Sequence, residues 1–324
     1  MRIVFAGSGS FGLPALGALV EGGQEVVLAV TQPDRPAGRG RHVAEGPIKR
    51  FARERGIAVL QPADVNAAAA VRRIREARPD LVLVIAFGQK LGRPLLGAAR
   101  HGAINLHASL LPECRGAAPV AWAILRGETE TGLTVIEMTE RMDAGDILGQ
   151  RATPIGPDET SGELADRLAG LGARLVTEVV RDLALDQVER RAQNDAQATL
   201  APRLKKSDGL VRWDQPAQAV HNQIRATTPW PGAATFDRRV GRPELRLVLT
   251  RTRLLQAAGV AGAPGTVLAA SAEGLDVAAA RGTVRILELT PAGKRNMSAA
   301  DFLHGHALEA GSRFTSGKEA AARD

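Results

Sequence analysis

Asn105 and His107 stand two residues apart in the run Asn105-Leu-His107-Ala-Ser109-Leu-Leu-Pro112-Glu-Cys-Arg115-Gly116. On an extended strand that spacing sends both side chains to one face. A carboxamide donor beside an imidazole can stabilise a developing oxyanion and handle a proton, as acyl transfer requires. Pro112 and Gly116 punctuate the turn that follows, and Arg115 suits an anion or a structural carboxylate. A second polar cluster, Arg141-Met-Asp143-Ala-Gly145-Asp146, comes after the next apolar run. Asp143 could reach the same crevice and orient or deprotonate His107. Taken singly these residues have bland readings, because a lone histidine is usually structural and Asp-x-Gly-Asp is often a turn. Their placement at two successive strand ends favours chemistry.

Three other candidates carry less. Gly7-Ser-Gly9-Ser-Phe-Gly12 follows a strand and opens a helix, as a dinucleotide fingerprint requires. That fingerprint also wants an acid at the end of the second strand, where Val30, Thr31 and Gln32 stand; Asp34 comes only after Pro33. Cys114, the single cysteine, excludes an intramolecular disulfide framework and a multi-cysteine zinc site. It has no histidine partner at an obvious spacing. His304-x-His306 offers two ligands at most, so no metal is expected.

The elements needed to present these residues are legible. RIVFA at 2–6, VVLAV at 26–30, IAVLQ at 57–61, LVLVIAF at 81–87 and GAINLH at 102–107 read as strands. Helical segments fall between them, with Pro14 in the first turn of one, and SGELADRLAGLGARLVTEVVRDLA at 161–184 reads as a long helix. Alternating βα units with continuously apolar strands predict a mostly parallel sheet covered on both faces, a Rossmann-like α/β domain over 1–189. Such sheets bind ligands at the carboxyl ends of their strands, where Asn105 and His107 lie. Residues 190–207 are polar and read as a linker. Over 208–324, short alternating runs separated by glycines predict a small β-barrel domain.

The chain has 324 residues, with 42 basic against 35 acidic side chains, and 36 of the basic ones are arginine. Residues 206–324 hold 16 basic and 11 acidic side chains, so the second domain carries most of the excess. Six arginines between 238 and 253 suit a polyanionic partner, with a solvated charged face as the alternative. The N-terminus is a strand and a glycine turn rather than a signal, and no apolar run approaches the roughly 18 residues of a membrane span. A soluble, cytoplasmic protein without a membrane partner is expected.

Over nearly its whole length the chain resembles the methionyl-tRNA formyltransferases, a branch of the 10-formyltetrahydrofolate-dependent transferases. The stretches that carry the resemblance are TQPDRPAGRGR at 31–41, AFGQKL at 86–91, INLHASLLPECRGAAPVAWAILRGETETG at 104–132 and MDAGDIL at 142–148. In the second domain they are LAPRLKKSDGLVRW, IRATTPWPGA, GAPGTV and LTPAGKRNMSAADFLHG. The opening GSGSFG departs from the usual Thr-Pro-Asp/Glu-Phe pattern, and Glu113-Cys114 replaces a more usual basic or aromatic pair.

The resemblance implies that the barrel over 208–324 is OB-like and that Asn105, His107 and Asp143 form the catalytic triad. It implies that Ser109, Leu110, Leu111 and Pro112 make the folate-binding turn, with pterin contacts around Phe87 and Gly88. The loop at 33–41, with Arg35, Arg39 and Arg41, would enter the tRNA acceptor end, and Lys205 and Lys206 would contact tRNA. The reaction implied is transfer of a formyl group from 10-formyltetrahydrofolate to the α-amine of initiator methionyl-tRNA, by a monomer without a metal. The proline- and glycine-rich composition of 31–47 predicts neither helix nor strand, and mobility without RNA.

Rival readings are a sugar-nucleotide amine formyltransferase, a glycinamide ribonucleotide formyltransferase, a non-catalytic RNA-binding module and an NAD(P)-dependent dehydrogenase. The second domain disfavours the glycinamide ribonucleotide enzyme, the arginine-rich loop the sugar enzyme, and the triad the RNA-binding module. The dehydrogenase reading is tested directly. Titration with NAD(P)H should give no saturable binding at micromolar concentration, and binding that competes with folate would overturn that expectation.

Overall fold

The computed structural model describes residues 1–37, 42–237, 244–259, 262–306 and 308–316. The chain divides into two compact units, each discontinuous in sequence. The first comprises Met1–Pro119, Thr131–Thr153 and Ala165–Ala201; the second comprises Val120–Glu130, Pro154–Leu164 and Pro202–Asp324.

The strands up to residue 154 are β1 (Arg2–Gly7), β2 (Glu25–Val30), β3 (Arg35–Ala37), β4 (His42–Ala44), β5 (Val59–Leu60), β6 (Leu81–Ile85), β7 (Ala103–His107), β8 (Glu130–Glu137) and β9 (Ile147–Pro154). Between and after them come α1 (Leu13–Glu21), α2 (Pro47–Glu54), α3 (Ala68–Glu76), α4 (Arg93–Leu96), α5 (Pro119–Arg126) and α6 (Ser161–Ala184). Seven strands form one sheet in the order β5-β2-β1-β6-β7-β8-β9. The pairs from β5 through β7 are parallel, and β8 runs antiparallel to β7 with Asn105 opposite Ile136 and His107 opposite Thr134. Every residue of β6 is buried, which explains its unbroken apolar run: both faces of a central strand are covered. The chain moves outward from β1 to β2 and β5, then returns to β6 on the other side. This reversal makes a topological switch point, the usual ligand crevice of such sheets.

One expectation needs correcting. Within 31–47, β3 and β4 pair as an antiparallel ribbon, with Arg35 opposite Ala44, Pro36 opposite Val43 and Ala37 opposite His42. Composition counts apolar burial, whereas a ribbon closes by main-chain bonds and tolerates proline at an edge position. Residues 38–41, and with them Arg39 and Arg41, lie outside the described residues.

The second unit contains α7 (Ala217–Ala226), β10 (Ala233–Asp237), β11 (Leu245–Gln256), β12 (Val267–Ser271), β13 (Gly274–Ala278), β14 (Thr283–Pro291), β15 (Met297–Ser298), α8 (Ala299–Gly305) and β16 (Phe314–Thr315). The strand order is β12-β13-β14-β11-β10-β16, with β15 on β14. The sheet curls until its edge strands meet: Thr266 bridges Arg313, and the Val267 N–H donates to the Ser312 carbonyl at 2.8 Å. Register shifts along the β11–β14 pair mark the bends that curling needs. Trp213 fills the interior beside Phe314, and its indole N–H donates to the Thr235 hydroxyl at 3.0 Å. The alternating runs predict a small barrel and the resemblance an OB-like one, and a curled antiparallel sheet is what the unit contains. No described helix is long and apolar enough to cross a membrane.

Thr160 and Glu163 open α6 as a reciprocal capping box. The Thr160 N–H donates to the Glu163 carboxylate at 2.9 Å, and the Glu163 N–H returns a bond to the Thr160 hydroxyl at 3.3 Å. The same carboxylate is ion-paired to Arg251 of β11. Arg251 foremost, with the Thr160 donors, lowers the Glu163 pKa from 4.5 to about 2. The folded pKa lies below the unfolded one, so this contribution is complete above about pH 4.5 and is lost as pH falls towards 2. Glu163→Gln should therefore flatten the loss of stability across that window, read from urea midpoints against pH. An unchanged profile would show the pair to be inert.

Candidate active site

The site begins at the carboxyl end of β7. Asn105 is half-buried, and its carboxamide has no hydrogen-bond partner among the described residues. His107, two residues on, is only 6% exposed. Its Nε2 lies 3.0 Å from the Cys114 carbonyl, which can only accept, so Nε2 carries a proton. Nδ1 is thereby turned towards Asp143, whose Oδ2 is 3.8 Å away. The structure brings together the three residues that the sequence singled out.

The turn from Ser109 to Gly116 is held from both sides. The Ser109 hydroxyl donates to the Glu113 carbonyl at 2.6 Å. Thr134 of β8 donates to the Ser109 carbonyl at 2.6 Å and accepts from the Leu111 N–H at 3.1 Å. Gln150 of β9 donates to the Leu111 carbonyl at 2.9 Å. Cys114 has a left-handed backbone (φ 57°), which aims its carbonyl at His107 while its N–H donates to the Thr199 hydroxyl at 2.9 Å. Glycine is required at 116: its φ is 130°, and a Cβ would lie 2.5 Å from the Ala201 carbonyl oxygen.

Asp143 is also left-handed, with φ 50°. Its Oδ2 accepts the Gly116 N–H at 2.9 Å, tying the two loops together. Gln193 donates to the carbonyls of Asp143 at 2.9 Å and Gly145 at 2.8 Å. The Gln193 carbonyl oxygen accepts from Arg115 at 2.7 and 3.1 Å. Arg115, buried, also pairs with Asp195 at 2.8 Å, and Asp195 pairs with Arg141 at 2.7 Å. These two arginines, Arg141 foremost, hold the Asp195 carboxyl below the usual carboxylate range. Arg115 thus anchors a structural carboxylate, one of its two readings. Gln193, Asp195 and Thr199 were invisible in the sequence, because 190–207 has no periodicity and reads as a linker.

Other candidates fall elsewhere. Phe87 is buried in the core of the first unit, and its carbonyl accepts from Ser8 and Gln32, each at 3.2 Å. Gly88 beside it is exposed, with φ 84°. In the folate-turn candidate, Ser109 and Leu111 are buried while Leu110 and Pro112 are half-buried. The glycine turn serves close packing: a Cβ on Gly7 would lie 2.8 Å from the Ile85 carbonyl oxygen. Asp34 is bound by Lys49 and by Gln61 at 2.9 Å, and the lysine foremost lowers its pKa. Arg35 lies on β3. Lys205 and Lys206 are exposed in the second unit. In the arginine-rich segment, Arg251 is paired with Glu163, and Arg253 lies 3.8 Å from Asp158. No group of three or more metal-ligating side chains occurs among the described residues.

The first unit is an α/β domain built on a mostly parallel sheet, with Asn105 and His107 on β7 and Asp143 on the connection between β8 and β9. A family model described as formyl transferase matches residues 1–180, and one described as formyl transferase, C-terminal domain, matches 203–307. The chain belongs to the formyl transferase family. It is 45% identical over 311 residues to the methionyl-tRNA formyltransferase of Citrifermentans bemidjiense, covering 96% of this chain and 95% of that one. It is 44% identical over 315 residues to the methionyl-tRNA formyltransferase of Methylococcus capsulatus, covering 97% and 99%.

Solved structures share the fold at low identity. HypX from Aquifex aeolicus in complex with tetrahydrofolic acid matches with a TM-score of 0.64 at 18% identity, over 94% of this chain and 47% of that one. This chain therefore spans about half the length of HypX. The N-formyltransferase from Helicobacter canadensis, in complex with folinic acid and dTDP-3-aminofucose, matches with a TM-score of 0.65 at 16% identity, over 88% and 98%.

Gly145 tests how tightly the Asp143 loop is seated. A Cβ there would lie 1.8 Å from the Glu137 carbonyl oxygen, a clash that no rotamer relieves. Gly145→Ala should destabilise the protein by about 1–3 kcal/mol, measured by urea unfolding. Wild-type stability would show that the loop yields freely.

Proposed function

We propose that this protein transfers the formyl group of 10-formyltetrahydrofolate to the α-amine of initiator methionyl-tRNA. The observation that carries this reading is the unpartnered, half-buried Asn105 carboxamide beside His107 and Asp143 at the strand ends. Near-full-length identity of about 45% to methionyl-tRNA formyltransferases supports the acceptor. The turn from Ser109 to Pro112, with Gly88 beside it, supplies the folate site in this reading. Phe87 shapes that site from within the core and does not offer its ring.

The attacking amine must be unprotonated, and attack places negative charge on the formyl oxygen. Asn105 Nδ2 donates to that oxygen; losing one such donor typically costs about 10²–10³ in rate. His107 keeps its Nε2 proton on the Cys114 carbonyl, so Nδ1 accepts the proton from the amine and returns it to the leaving nitrogen. Asp143 stabilises the imidazolium formed in between. Arg39 and Arg41, with Arg35, are assigned to the acceptor end, and Lys205 and Lys206 to the phosphate backbone.

Two experiments test this. The protein is offered 10-formyltetrahydrofolate with charged initiator tRNA, charged elongator methionine tRNA, glycinamide ribonucleotide and amino-sugar nucleotides. Initiator tRNA should be formylated most efficiently, and formylation of another acceptor alone would overturn the assignment. Asn105→Ala, His107→Ala and Asp143→Asn should each abolish most turnover while sparing tRNA affinity, and near-wild-type turnover would refute the assigned role. Arg39→Ala should cut efficiency on tRNA, spare folate binding and reduce the salt dependence.

A further inference from the structure

We infer that Gln193 is a positioning residue for Asp143, and that the segment 193–201 is a strap that completes the active site. The inference rests on the catalytic roles proposed above. Its basis is the direction of every bond the Gln193 amide makes. Arg115 can only donate, so the group facing it is the carbonyl oxygen, and the NH₂ is left to face the carbonyls of Asp143 and Gly145. The amide can be satisfied in one orientation alone. Arg115 is fixed in turn by Asp195, which Arg141 pairs from the Asp143 loop itself. The loop is therefore gripped at residues 141, 143 and 145 by two side chains of one strap.

Asp143 gains from such a grip because its backbone is left-handed, a conformation that aspartate adopts more readily than most residues but still at some cost. In that conformation its Oδ2 accepts the Gly116 N–H and faces His107 Nδ1. The strap also fixes the opposite side of the imidazole. The Thr199 hydroxyl accepts the Cys114 N–H, the Arg115 N–H donates to the Thr199 carbonyl at 2.8 Å, and the Ala201 N–H donates to the Arg115 carbonyl at 2.7 Å. Both groups that face His107, the Asp143 carboxylate and the Cys114 carbonyl, thus depend on residues 193–201.

The test replaces Gln193 with Ala and, as a near-isosteric variant that keeps the packing, with Met. Each should lower kcat by about 10–100-fold, the scale of a small misplacement of a reacting group, with KM for both substrates nearly unchanged. In Asp143→Asn, the further change Gln193→Ala should cost nothing, because Gln193 acts through Asp143. Nitrogen NMR of the His107 imidazole supplies a readout that is independent of any acceptor. Its nitrogen chemical shifts should change in both Gln193 variants as the carboxylate moves away. Full additivity with Asp143→Asn, or unchanged His107 nitrogen chemical shifts in folded variants, would overturn the positioning role. Changed His107 nitrogen chemical shifts in a protein that formylates none of the acceptors would keep that role and overturn the proposed function instead.

Discussion

The bond between the His107 Nε2–H and the Cys114 carbonyl is the interaction on which the site depends. A carbonyl cannot donate, so it fixes which imidazole nitrogen is free and points that nitrogen at Asp143. To place the carbonyl there, Cys114 adopts a left-handed backbone and Gly116 a conformation open to glycine. The turn between them is then locked by Thr134 and Gln150 from the neighbouring strands and by Thr199 from the strap. The cysteine contributes its backbone, through its carbonyl to His107 and its N–H to Thr199.

The sheet sets the stage for this bond without making it. Asn105 and His107 share a face because β7 is extended, and they open on the crevice because the parallel strands end there. The chemistry needs more than a shared face. Asp143 arrives from the connection between β8 and β9, on a loop whose left-handed residue is stabilised by an amide from far along the chain. Precision therefore comes from long-range polar contacts around the Asp143 loop, and the apolar core fixes only the strand ends.

Charge behaves differently from what composition suggests. The arginine-rich stretch after residue 238 looks like an exposed basic surface; Arg238, Arg239 and Arg242 lie outside the described residues, while Arg251 is committed to Glu163 and Arg253 lies beside Asp158. Glu163 in turn caps α6, so one carboxylate serves both helix initiation and strand attachment. Lys205 and Lys206, which look modest in sequence, are fully presented. Counting charges overstates a polyanion site wherever cations already have partners.

By itself the sequence determined what depends on local pattern. Apolar runs of strand length gave the parallel sheet, the period of 161–184 gave a helix with those same ends, and alternation between glycines gave the antiparallel second domain. Spacing alone placed Asn105 and His107 on one face of β7, because a strand's two-residue period is a local property. Tertiary structure decided the rest. The ribbon at 35–44 exists through main-chain pairing that composition does not register. Gln193 is bonded to carbonyls 48 and 50 residues away, and Thr199 to an N–H 85 residues away. Nothing local marks such partners, since a hydrogen bond between distant residues is specified only when the folded chain brings donor and acceptor together.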